Sequence, residues 1–550
     1  METITKSAPP SGGEGEALPT AQVFARKSSG LVRAASTTDA SLVNLYTATF
    51  PIMVSFLLGI VLPFYAGANL YLTILIGAAV ALPILLAYAI ASSVMRRSGG
   101  DYVFIGRMLH PSLGFAANFV FVAFQIVFLT SSGYFFCLWC LSPLSRLLGV
   151  AFSSPSLLTF ADTLVKPFSI FVVSELFVVG FGLLFVLQST RSILKIFRYT
   201  IPLSAIGLLA FVAALLVHSG STLHGNFDHY IHSATGVDGA TAAAAASAKD
   251  NGFSLAPFSL AATVLAVTWP SFSLPYYLGS AYFAGEVRNA RRAQLLAGPA
   301  TAIIAVIGSL VLVWVSLGQL GPDFLGSMAA ADPAKLGLGA GPTYMEVAAG
   351  SSGSTILGIL ILVGFGSWLI PTVPMSLLIM TRCMLGWSMD RIAPDALSRV
   401  SPRTGSPFVA VTVVTVLAAI ISYFWAYTDF FTVVVGAFAQ VITLGIGCLA
   451  ASLIPFKRRD LYETSPIRGH IGRIPKLTII GVLGAIAAAL IVVNFARDSS
   501  SGVNPAHNGT MFWISLGMFP FGFALYYLSA TIRRRQGVDV ALAFREIPPE

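Results

Sequence analysis

The stretch TWPSFSLPYYLGSAYFAGEVRNARR, residues 268–292, decides the fold of this chain. It leads from an apolar run through Pro270 and Pro275 into a cluster of arginines, and two serines lie between the prolines. A proline inside a helix removes one N–H group and displaces the carbonyl four residues earlier, so we expect Pro270 to free the carbonyl of Ala266. Pro275 is expected to do the same to Ser271. Together the two breaks predict an unwound segment.

This segment belongs to a chain whose composition is that of a membrane protein. Of its 550 residues, 56% are hydrophobic and only 10% are charged, more apolar surface than a water-soluble fold can bury. Runs of about 20 apolar residues, enough for a helix to cross about 30 Å of hydrocarbon, predict an all-α bundle rather than a β-barrel. The twelve predicted transmembrane helices are 42–64, 69–94, 114–141, 168–189, 199–218, 256–284, 295–318, 354–381, 407–426, 430–454, 475–494 and 510–531.

The positions of lysine and arginine predict the orientation of these helices. With the N-terminus in the cytoplasm, 27 of the 32 Lys and Arg residues fall on the cytoplasmic side. Both termini are therefore predicted to be cytoplasmic, and the protein is predicted to lie in the cell membrane. The net charge of +9 then reflects topology and anionic lipid rather than nucleic acid. Residues 1–40 are expected to form a disordered cytoplasmic tail, residues 41–532 the twelve-helix domain, and residues 533–550 a second cytoplasmic tail.

A second break is predicted in the first span, within TATFPIMVS, residues 47–55. There Pro51 is expected to free the carbonyl of Thr47. Spans one and six are five helices apart, and because five is odd, a second half starting at span six enters the membrane from the opposite face. Interrupted helices at corresponding positions of two inverted halves indicate the central binding site of a secondary transporter.

Charged groups inside the predicted spans are scarce. Glu175 is the only carboxylate predicted at depth, which makes it a candidate for a proton relay, with an ion pair or a position nearer the outer surface as the alternatives. No group of His, Asp, Glu or Cys recurs at a common depth, and no HExxH or Walker motif is present, so neither an enzyme, a cofactor nor direct ATP coupling is predicted.

The longest predicted outer loop, residues 219–253, carries two further patterns. Four of its residues could ligate a metal: His224, Asp228, His229 and His232. Their spacing fits no standard zinc pattern, and a solvated polar loop is the alternative. Its alanine-rich end, residues 240–250, predicts a flexible external spacer. Farther along the chain, Asn508 begins a short match to a glycosylation acceptor.

Three cytoplasmic segments carry a likeness to a known family. RSGGDYVFIGRMLHPSLGF, residues 97–115, resembles the signature after the second helix of the amino acid-polyamine-organocation permeases. YFAGEVRNARR, residues 282–292, resembles the segment after their sixth helix, and SMDRIAPDALSRVSPRTGSP, residues 388–407, the loop after their eighth. The three matches are ordered and correctly spaced, and the likeness covers about residues 38–535.

The resemblance implies the leucine-transporter fold, with a five-plus-five inverted repeat at about 42–218 and 256–454 and extra helices at about 475–531. It also implies substrate held by unwound backbone, with N–H groups facing a carboxylate and carbonyls facing an ammonium. The residues expected to contact substrate are Thr49, Phe50, Pro51, Ile52, Met53, Val54, Ser55, Phe272, Ser273, Leu274, Pro275 and Tyr276, with Phe272 or Tyr276 as an aromatic gate. Trp368 is expected to line the cavity, with helix packing as the alternative.

Some positions depart from the family pattern. The first break has no Gly-x-Gly stretch, so the carboxylate-binding geometry at Pro51 is less defined. Leu278 occupies the place of an acid in helix six of many members, which favours a neutral substrate. Lys195 lies before Pro202 at the end of helix five rather than inside it, so proton symport, sodium symport and exchange all stay open.

The sequence therefore predicts a secondary active transporter that moves an amino acid, more readily a neutral one, or a related amine by alternating access. Its expected partners are the substrate, a coupling proton or sodium ion, and membrane lipid. Two alternatives stay open: a transporter of nucleobases, metal ions or carboxylates on the same fold, and a non-transporting sensor.

Overall fold

The computed structural model describes Arg33 and residues 35–428, 433–465, 467–507 and 509–544. Most of the first predicted tail, residues 545–550 of the second, and Asn508, the first residue of the predicted glycosylation acceptor, lie outside the described residues.

The described chain is almost entirely helical. Its first twelve α-helices are α1 (Thr37–Ala48), α2 (Phe50–Phe56), α3 (Leu62–Phe64), α4 (Leu70–Val94), α5 (Asp101–Met108), α6 (Pro111–Phe136), α7 (Ser142–Ala151), α8 (Pro155–Leu164), α9 (Pro167–Leu187), α10 (Thr190–Val217), α11 (Gly220–Thr235) and α12 (Ala240–Asp250). The other twelve are α13 (Leu260–Leu265), α14 (Thr268–Ser271), α15 (Ala290–Gln319), α16 (Pro322–Ala330), α17 (Tyr344–Ser351), α18 (Thr355–Leu369), α19 (Thr372–Met389), α20 (Phe408–Tyr427), α21 (Val433–Lys457), α22 (Arg459–Glu463), α23 (Lys476–Arg497) and α24 (Gly509–Arg535).

Shorter elements complete the architecture. Two π-helical turns continue helices, at Leu57–Val61 and Cys137–Leu141. The 3-10 helices are Leu274–Tyr276, Gly279–Tyr282, Ala284–Glu286, Pro333–Leu336, Asp395–Ser398, Ser499–Ser501 and Val540–Phe544. β1 (His470–Ile471) and β2 (Ile474–Pro475) form an antiparallel hairpin in which His470 faces Pro475.

Eleven helical runs in the described residues are long and apolar enough to cross a membrane. They are Thr37–Phe64, Leu70–Val94, Pro111–Ala151, Pro167–Leu187, Thr190–Val217, Ala290–Gln319, Thr355–Met389, Phe408–Tyr427, Gly436–Lys457, Lys476–Arg497 and Gly509–Arg535. Each corresponds to one of the twelve predicted spans. The predicted sixth span, 256–284, contains no such continuous helix, because the chain there is divided into short pieces.

α1 begins before the predicted start of the first span. Ser36 caps it: its Oγ accepts the N–H of Asp39 at 3.1 Å, and the Asp39 carboxylate accepts the N–H of Ser36 at 2.8 Å. This reciprocal capping satisfies helix donors that otherwise lack partners. Arg198 of α10 pairs with the same carboxylate at 2.7 Å, so the start of α1 is fixed against a second helix.

α6 is the central helix of the bundle. It packs against α9, α19, α20, α21 and α24. On the other side of the molecule, α4 packs against α15 and α23, and α1 packs against α15. Close helix contact depends on small residues in places: Gly207 of α10 faces Gly364 of α18 so closely that an added Cβ would meet backbone at 2.4 Å.

The two sides of the bundle are covered differently. We call the side where α1 begins and α24 ends the tail side; there Arg533 of α24 donates to the carbonyl of Arg391, just after α19. We call the side covered by α11, α12, α16 and α17 the loop-helix side. The expectation of a flexible alanine-rich spacer is wrong, because residues 240–250 form α12. Alanine is the best helix former, and the buried Ala240, Ala244 and Ala248 seat α12, which packs on α16.

Candidate functional site

The first helix is interrupted at Thr49. Thr49 adopts a left-handed conformation, with φ 33° and ψ 71°, which is rare for a residue with a branched side chain. Its carbonyl accepts the N–H groups of Ile52 at 3.0 Å and Met53 at 3.3 Å, which starts α2. The interruption thus precedes Pro51, which lies in the first turn of α2, where a missing N–H costs nothing.

The chain at the predicted sixth span, 256–284, departs from a continuous α-helix over most of its length, and we call the observed residues 260–286 the sixth segment. Beyond α14 its backbone hydrogen bonds reach three residues back rather than four: Ser273 N–H to the Pro270 carbonyl at 3.1 Å and Tyr276 N–H to the Ser273 carbonyl at 3.0 Å. Tighter turns of this kind mark strained or functional breaks in helices. The prolines therefore do predict the unwound segment.

One detail of that prediction is wrong. The carbonyl of Ala266, expected to be free, accepts the N–H of Trp269 at 3.1 Å. Pro270 removes the usual donor, and the chain tightens at this point so that the preceding residue supplies another.

A narrow cavity of about 30 Å³ lies where the end of α1 and the sixth segment face α6, α19, α20 and α21. Its lining residues are Thr47, Phe121, Gln125, Val127, Phe128, Ser131, Phe272, Tyr276, Leu278, Tyr282, Ile379, Trp425, Gly436, Ala437 and Gln440. No Asp, Glu, Lys, Arg or His is among these lining residues. Its lining has the largely apolar character of a small-molecule site, while its volume is that of a closed cavity with room for water rather than for a ligand.

Two glutamines supply the main polar groups of this cavity. Gln440 Nε2 donates to Gln125 Oε1 at 3.0 Å, and Gln125 Nε2 donates to Ser376 Oγ at 2.9 Å. On the opposite wall the Tyr276 hydroxyl donates to the carbonyl of Ala437 at 3.0 Å. The cavity can thus form directed hydrogen bonds without presenting a formal charge. We did not predict the glutamines, although an amide within an apolar span is itself an indication of a polar contact.

The predicted site residues fall into three groups. Phe272 and Tyr276 line the cavity, together with Leu278, the residue that replaces an acid. Ser55 lines a different cavity on the loop-helix side and donates to the carbonyl of Pro51 at 3.1 Å. The others are buried beside the breaks without lining the cavity: Thr49, Phe50, Pro51, Ile52, Met53, Val54, Ser273, Leu274 and Pro275.

Trp368 packs beside the first break rather than in the cavity. Its ring centroid lies 5.1 Å from that of Tyr46 and 5.2 Å from that of Phe50, and its side chain is buried. The cavity lining does not include it. The position is that of a helix-packing residue that supports the interruption at Thr49.

An aromatic layer separates the cavity from the loop-helix side. It consists of Phe56, Phe135, Trp139, Trp269 and Phe272. The ring of Phe56 lies 5.1 Å from Phe272, 5.4 Å from Trp269 and 5.4 Å from Trp139. Phe56 and Trp139 also line the second cavity, of about 220 Å³, on the loop-helix side. The aromatic layer is therefore the partition between two cavities, and Phe56 is its central member.

Hydrogen-bonded contacts close the tail side. Arg382 of α19 binds Glu286 through two bonds, Nε to Oε1 at 2.7 Å and Nη2 to Oε2 at 3.0 Å, and both side chains are buried. Arg382 Nη2 also donates to Thr190 at 3.0 Å. The N–H of Ala35 donates to the Glu286 carbonyl at 3.0 Å, and the N–H of Arg288 donates to the Ala35 carbonyl at 2.8 Å. We call this set the tail-side closure.

Glu175 lies away from the cavity. It faces a groove between α9 and α20 that is lined by Phe171, Ala419, Ile420, Tyr423 and Phe424. The structure therefore does not bring Glu175 together with the residues of either break.

Two of the three histidines of the predicted metal pattern, His224 and His232, have protein partners. His224 stacks on Phe324 at 4.1 Å, and His232 pairs with Asp238 at 2.8 Å. Asp228 accepts both the N–H and the hydroxyl of Thr241, at 2.6 and 2.7 Å. In the part of the chain that the structure describes, no group of three or more His, Cys, Asp or Glu side chains could hold a metal ion.

The comparisons with known proteins agree with this architecture. A family model described as amino acid permease matches residues 41–530, which include both breaks and the whole cavity lining. No curated protein matches the chain. With eleven candidate spans, the chain is a multi-pass membrane protein. The predicted resemblance is confirmed: the chain belongs to the amino acid permease family of the APC superfamily, which implies transport of amino acids or related compounds rather than enzyme catalysis.

Proposed function

We propose that this permease is a secondary active transporter that carries a neutral amino acid or related amine across the cell membrane by alternating access. The observation that supports this most is the uncharged lining of the cavity at the two breaks. A cationic or acidic side chain of a substrate would be buried there without a counter-ion, which costs several kcal/mol. A neutral amino acid carries balanced charges that backbone dipoles can accommodate.

Backbone at the breaks would bind the amino and carboxylate groups. α1 ends at Ala48, just before Thr49, and carbonyls at the C-terminal end of a helix carry partial negative charge that favours an ammonium group. Thr49 to Ser55 and Ser273 to Pro275 do not line this cavity, so their backbone would reach the substrate only when the breaks move during the transport cycle. Phe272 and Tyr276 would contact the substrate side chain directly.

Alternating access requires that each end of the cavity open in turn. On the loop-helix side the aromatic layer would open, with Phe272 and Phe56 as the moving rings. On the tail side the bond between Glu286 and Arg382 would break. We assign the tail side to the cytoplasm from the distribution of lysine and arginine. The sixth segment would cross the membrane in addition to the eleven helical runs, which makes twelve crossings in all. The breaks in spans one and six would occupy matching places in two inverted repeats of five helices.

Uptake into proteoliposomes tests the substrate class. The purified permease is assayed with a labelled neutral amino acid, in competition with cationic and acidic amino acids, nucleobases and divalent metal ions. Neutral amino acids should compete, and the other classes should not. Competition only by nucleobases, metals or carboxylates would assign a different substrate, and saturable binding without flux would indicate a sensor.

Leu278→Glu sharpens this test, because it restores an acid to the cavity wall. The variant should gain uptake of a cationic amino acid and lose uptake of a neutral one. Leu278→Gln is the matched control, since it adds a side chain of similar size and polarity without charge. An unchanged substrate preference in both variants would contradict the assignment of this cavity as the substrate site.

A further inference from the structure

Asp101 is a fully buried carboxylate beside the substrate cavity. It is the first residue of α5 and is 0% exposed. Three side chains donate hydrogen bonds to it: Tyr88 and Tyr282 to Oδ2, both at 3.0 Å, and Asn118 to Oδ1 at 2.8 Å. A buried carboxylate needs such donors, because it has lost its hydration.

The glycines before Asp101 make this geometry accessible. Gly100 has φ 58°, and a Cβ added there would lie 2.3 Å from the ring of Tyr282. The N–H of Gly99 donates to the Tyr282 carbonyl at 2.8 Å. Only a residue without a side chain lets the tyrosine ring pass over the backbone and reach the next residue. The GGDY sequence therefore builds the contact between α5 and the sixth segment.

The donors of Asp101 come from three different elements. Tyr88 belongs to α4 and Tyr282 to the sixth segment. Asn118 belongs to α6, and its Oδ1 accepts the Trp387 indole N–H of α19 at 2.8 Å. Asp101 thus connects the sixth segment, which carries the second break, to α4 and α6, and through Asn118 to α19.

The groups that face Asp101 are neutral. By element they are Tyr88 from α4, Asn118 from α6, Tyr282 from the sixth segment, Cys383 from α19 and Cys448 from α21. On α5 itself, Arg107 is paired with Asp390 at 3.0 Å, and Lys457 of α21 donates to the Met108 carbonyl at 2.7 Å. Among the described residues, no Lys or Arg forms an ion pair with Asp101.

Burial raises the pKa of Asp101 to about 6, against the lowering effect of its hydrogen bonds to Asn118, Tyr282 and Tyr88. A carboxyl group with a pKa near the working pH gains or loses its proton in response to modest changes in its surroundings.

The Tyr282 side chain joins this carboxylate to the cavity. Its ring lines the cavity and stacks on Phe121, with centroids 4.6 Å apart and planes at 11°. Its hydroxyl is in contact with Asp101 Oδ2. We infer that Asp101 binds the coupling proton of transport and receives it from the cavity through the Tyr282 hydroxyl, which presupposes the secondary transport proposed above.

The transfer balances without any other reactant. A hydronium ion in the cavity gives a proton to the Tyr282 oxygen while the hydroxyl proton of Tyr282 passes to Oδ2. The hydronium ion becomes water, the carboxylate becomes a carboxylic acid, and the tyrosine is unchanged.

Protonation then changes the hydrogen bonds around Oδ2. The ionised oxygen accepts from both Tyr88 and Tyr282, whereas a protonated oxygen donates one hydrogen and must turn one tyrosine into an acceptor. The charge-assisted bonds also weaken to neutral ones. Because Tyr282 stacks on Phe121 at the cavity wall, a shift of its ring loosens the tail side of the cavity. Proton binding therefore favours opening toward the tail side.

Asp101→Asn tests the inference in proteoliposomes containing a pH-sensitive dye. The variant should lose substrate accumulation driven by a pH gradient and the accompanying proton uptake, while exchange of labelled for unlabelled neutral amino acid at equal pH continues. Proton-driven accumulation by Asp101→Asn at the wild-type level would overturn the assignment. Glu175→Gln is the rival variant: loss of proton coupling there, with Asp101→Asn unaffected, would also overturn it.

A matched pair of tyrosine variants keeps the test decisive if Asp101→Asn fails to fold. Tyr88→Phe and Tyr282→Phe each remove one donor from the same carboxylate oxygen, so both should raise the pH midpoint of transport by about one unit. Only Tyr282→Phe interrupts the route from the cavity, so only it should slow proton uptake. Equal proton-uptake rates in the two variants would contradict the route.

The outcome also separates this inference from the proposed function. A wild-type permease that exchanges neutral amino acids but accumulates them only with a sodium gradient, or not at all, would refute the proton site and leave the transport function standing. A wild-type permease that moves no amino acid under any gradient would refute the proposed function itself.

Discussion

Glu286→Gln tests the tail-side closure, because its partner Arg382 is 0% exposed. Removing one member of a buried ion pair typically costs about 3–5 kcal/mol, since the remaining charge is left without compensation. Both hydrogen bonds of the pair join the sixth segment to α19. In the variant, opening the tail side would expose the unpaired Arg382 to water and so recover the cost of its buried charge. If opening recovers about 3 kcal/mol, the ratio of open to closed molecules rises roughly 100-fold.

Hydrogen exchange in lipid nanodiscs measures this shift at the backbone of residues 282–290. Exchange there should be much faster in Glu286→Gln than in the wild type. Glu463→Gln is the matched control: its partner Arg459 lies 2.8 Å away, but the two side chains are 61% and 81% exposed, and exposed pairs contribute only about 0–1 kcal/mol. Replacing both Glu286 and Arg382 by methionine should slow exchange again. Equal exchange in Glu286→Gln and Glu463→Gln would refute the closure.

Two further predictions concern the aromatic layer and the buried carboxylate. Phe56→Ala removes the central ring of the aromatic layer, at a cost of about 3–5 kcal/mol in stability. In a background without native cysteines, a cysteine introduced by Ser131→Cys should then react faster with a thiol reagent added on the loop-helix side. An unchanged labelling rate would contradict the role of the aromatic layer as a partition. The pKa of Asp101, about 6, lies above the value of about 3.9 for an unfolded aspartate. The folded state therefore binds the proton of this carboxyl group more tightly than the unfolded state does. The resulting stabilisation of the fold is fully present below pH 4 and is lost as the pH rises through 6. The melting temperature of the wild type should therefore fall relative to that of Asp101→Asn between pH 4 and pH 6, and parallel curves would contradict burial of the ionised group.

Local sequence patterns were sufficient to predict the helical architecture. Continuous apolar runs identify eleven helices because the length of a membrane helix is set by the bilayer. Pro270 and Pro275 identify the unwound sixth segment because proline leaves a carbonyl without its donor in every helix. The first break lies within the predicted residues 47–55, but its exact position at Thr49 is not predictable, since the left-handed conformation has no signature in this residue type.

The candidate site could be predicted only in part, because it is built from contacts between distant parts of the chain. Gln125 and Gln440 meet only because α6 packs against α21, and no spacing in the sequence relates them. Phe56 was missed for the same reason: its four ring partners come from α6, the π-helical turn after it, and the sixth segment. Leu278 was recognisable because the flanking AGEVRN motif fixes its register. Its place in the cavity wall agrees with a neutral substrate.

The most direct test of the central claim is an experimental structure of the permease with a bound neutral amino acid. We expect the ligand inside the cavity, with its side chain against Phe272 and Tyr276 and its charged groups toward the interruption at Thr49. A ligand bound only in the loop-helix cavity or in the groove beside Glu175, with this cavity empty, would contradict the account.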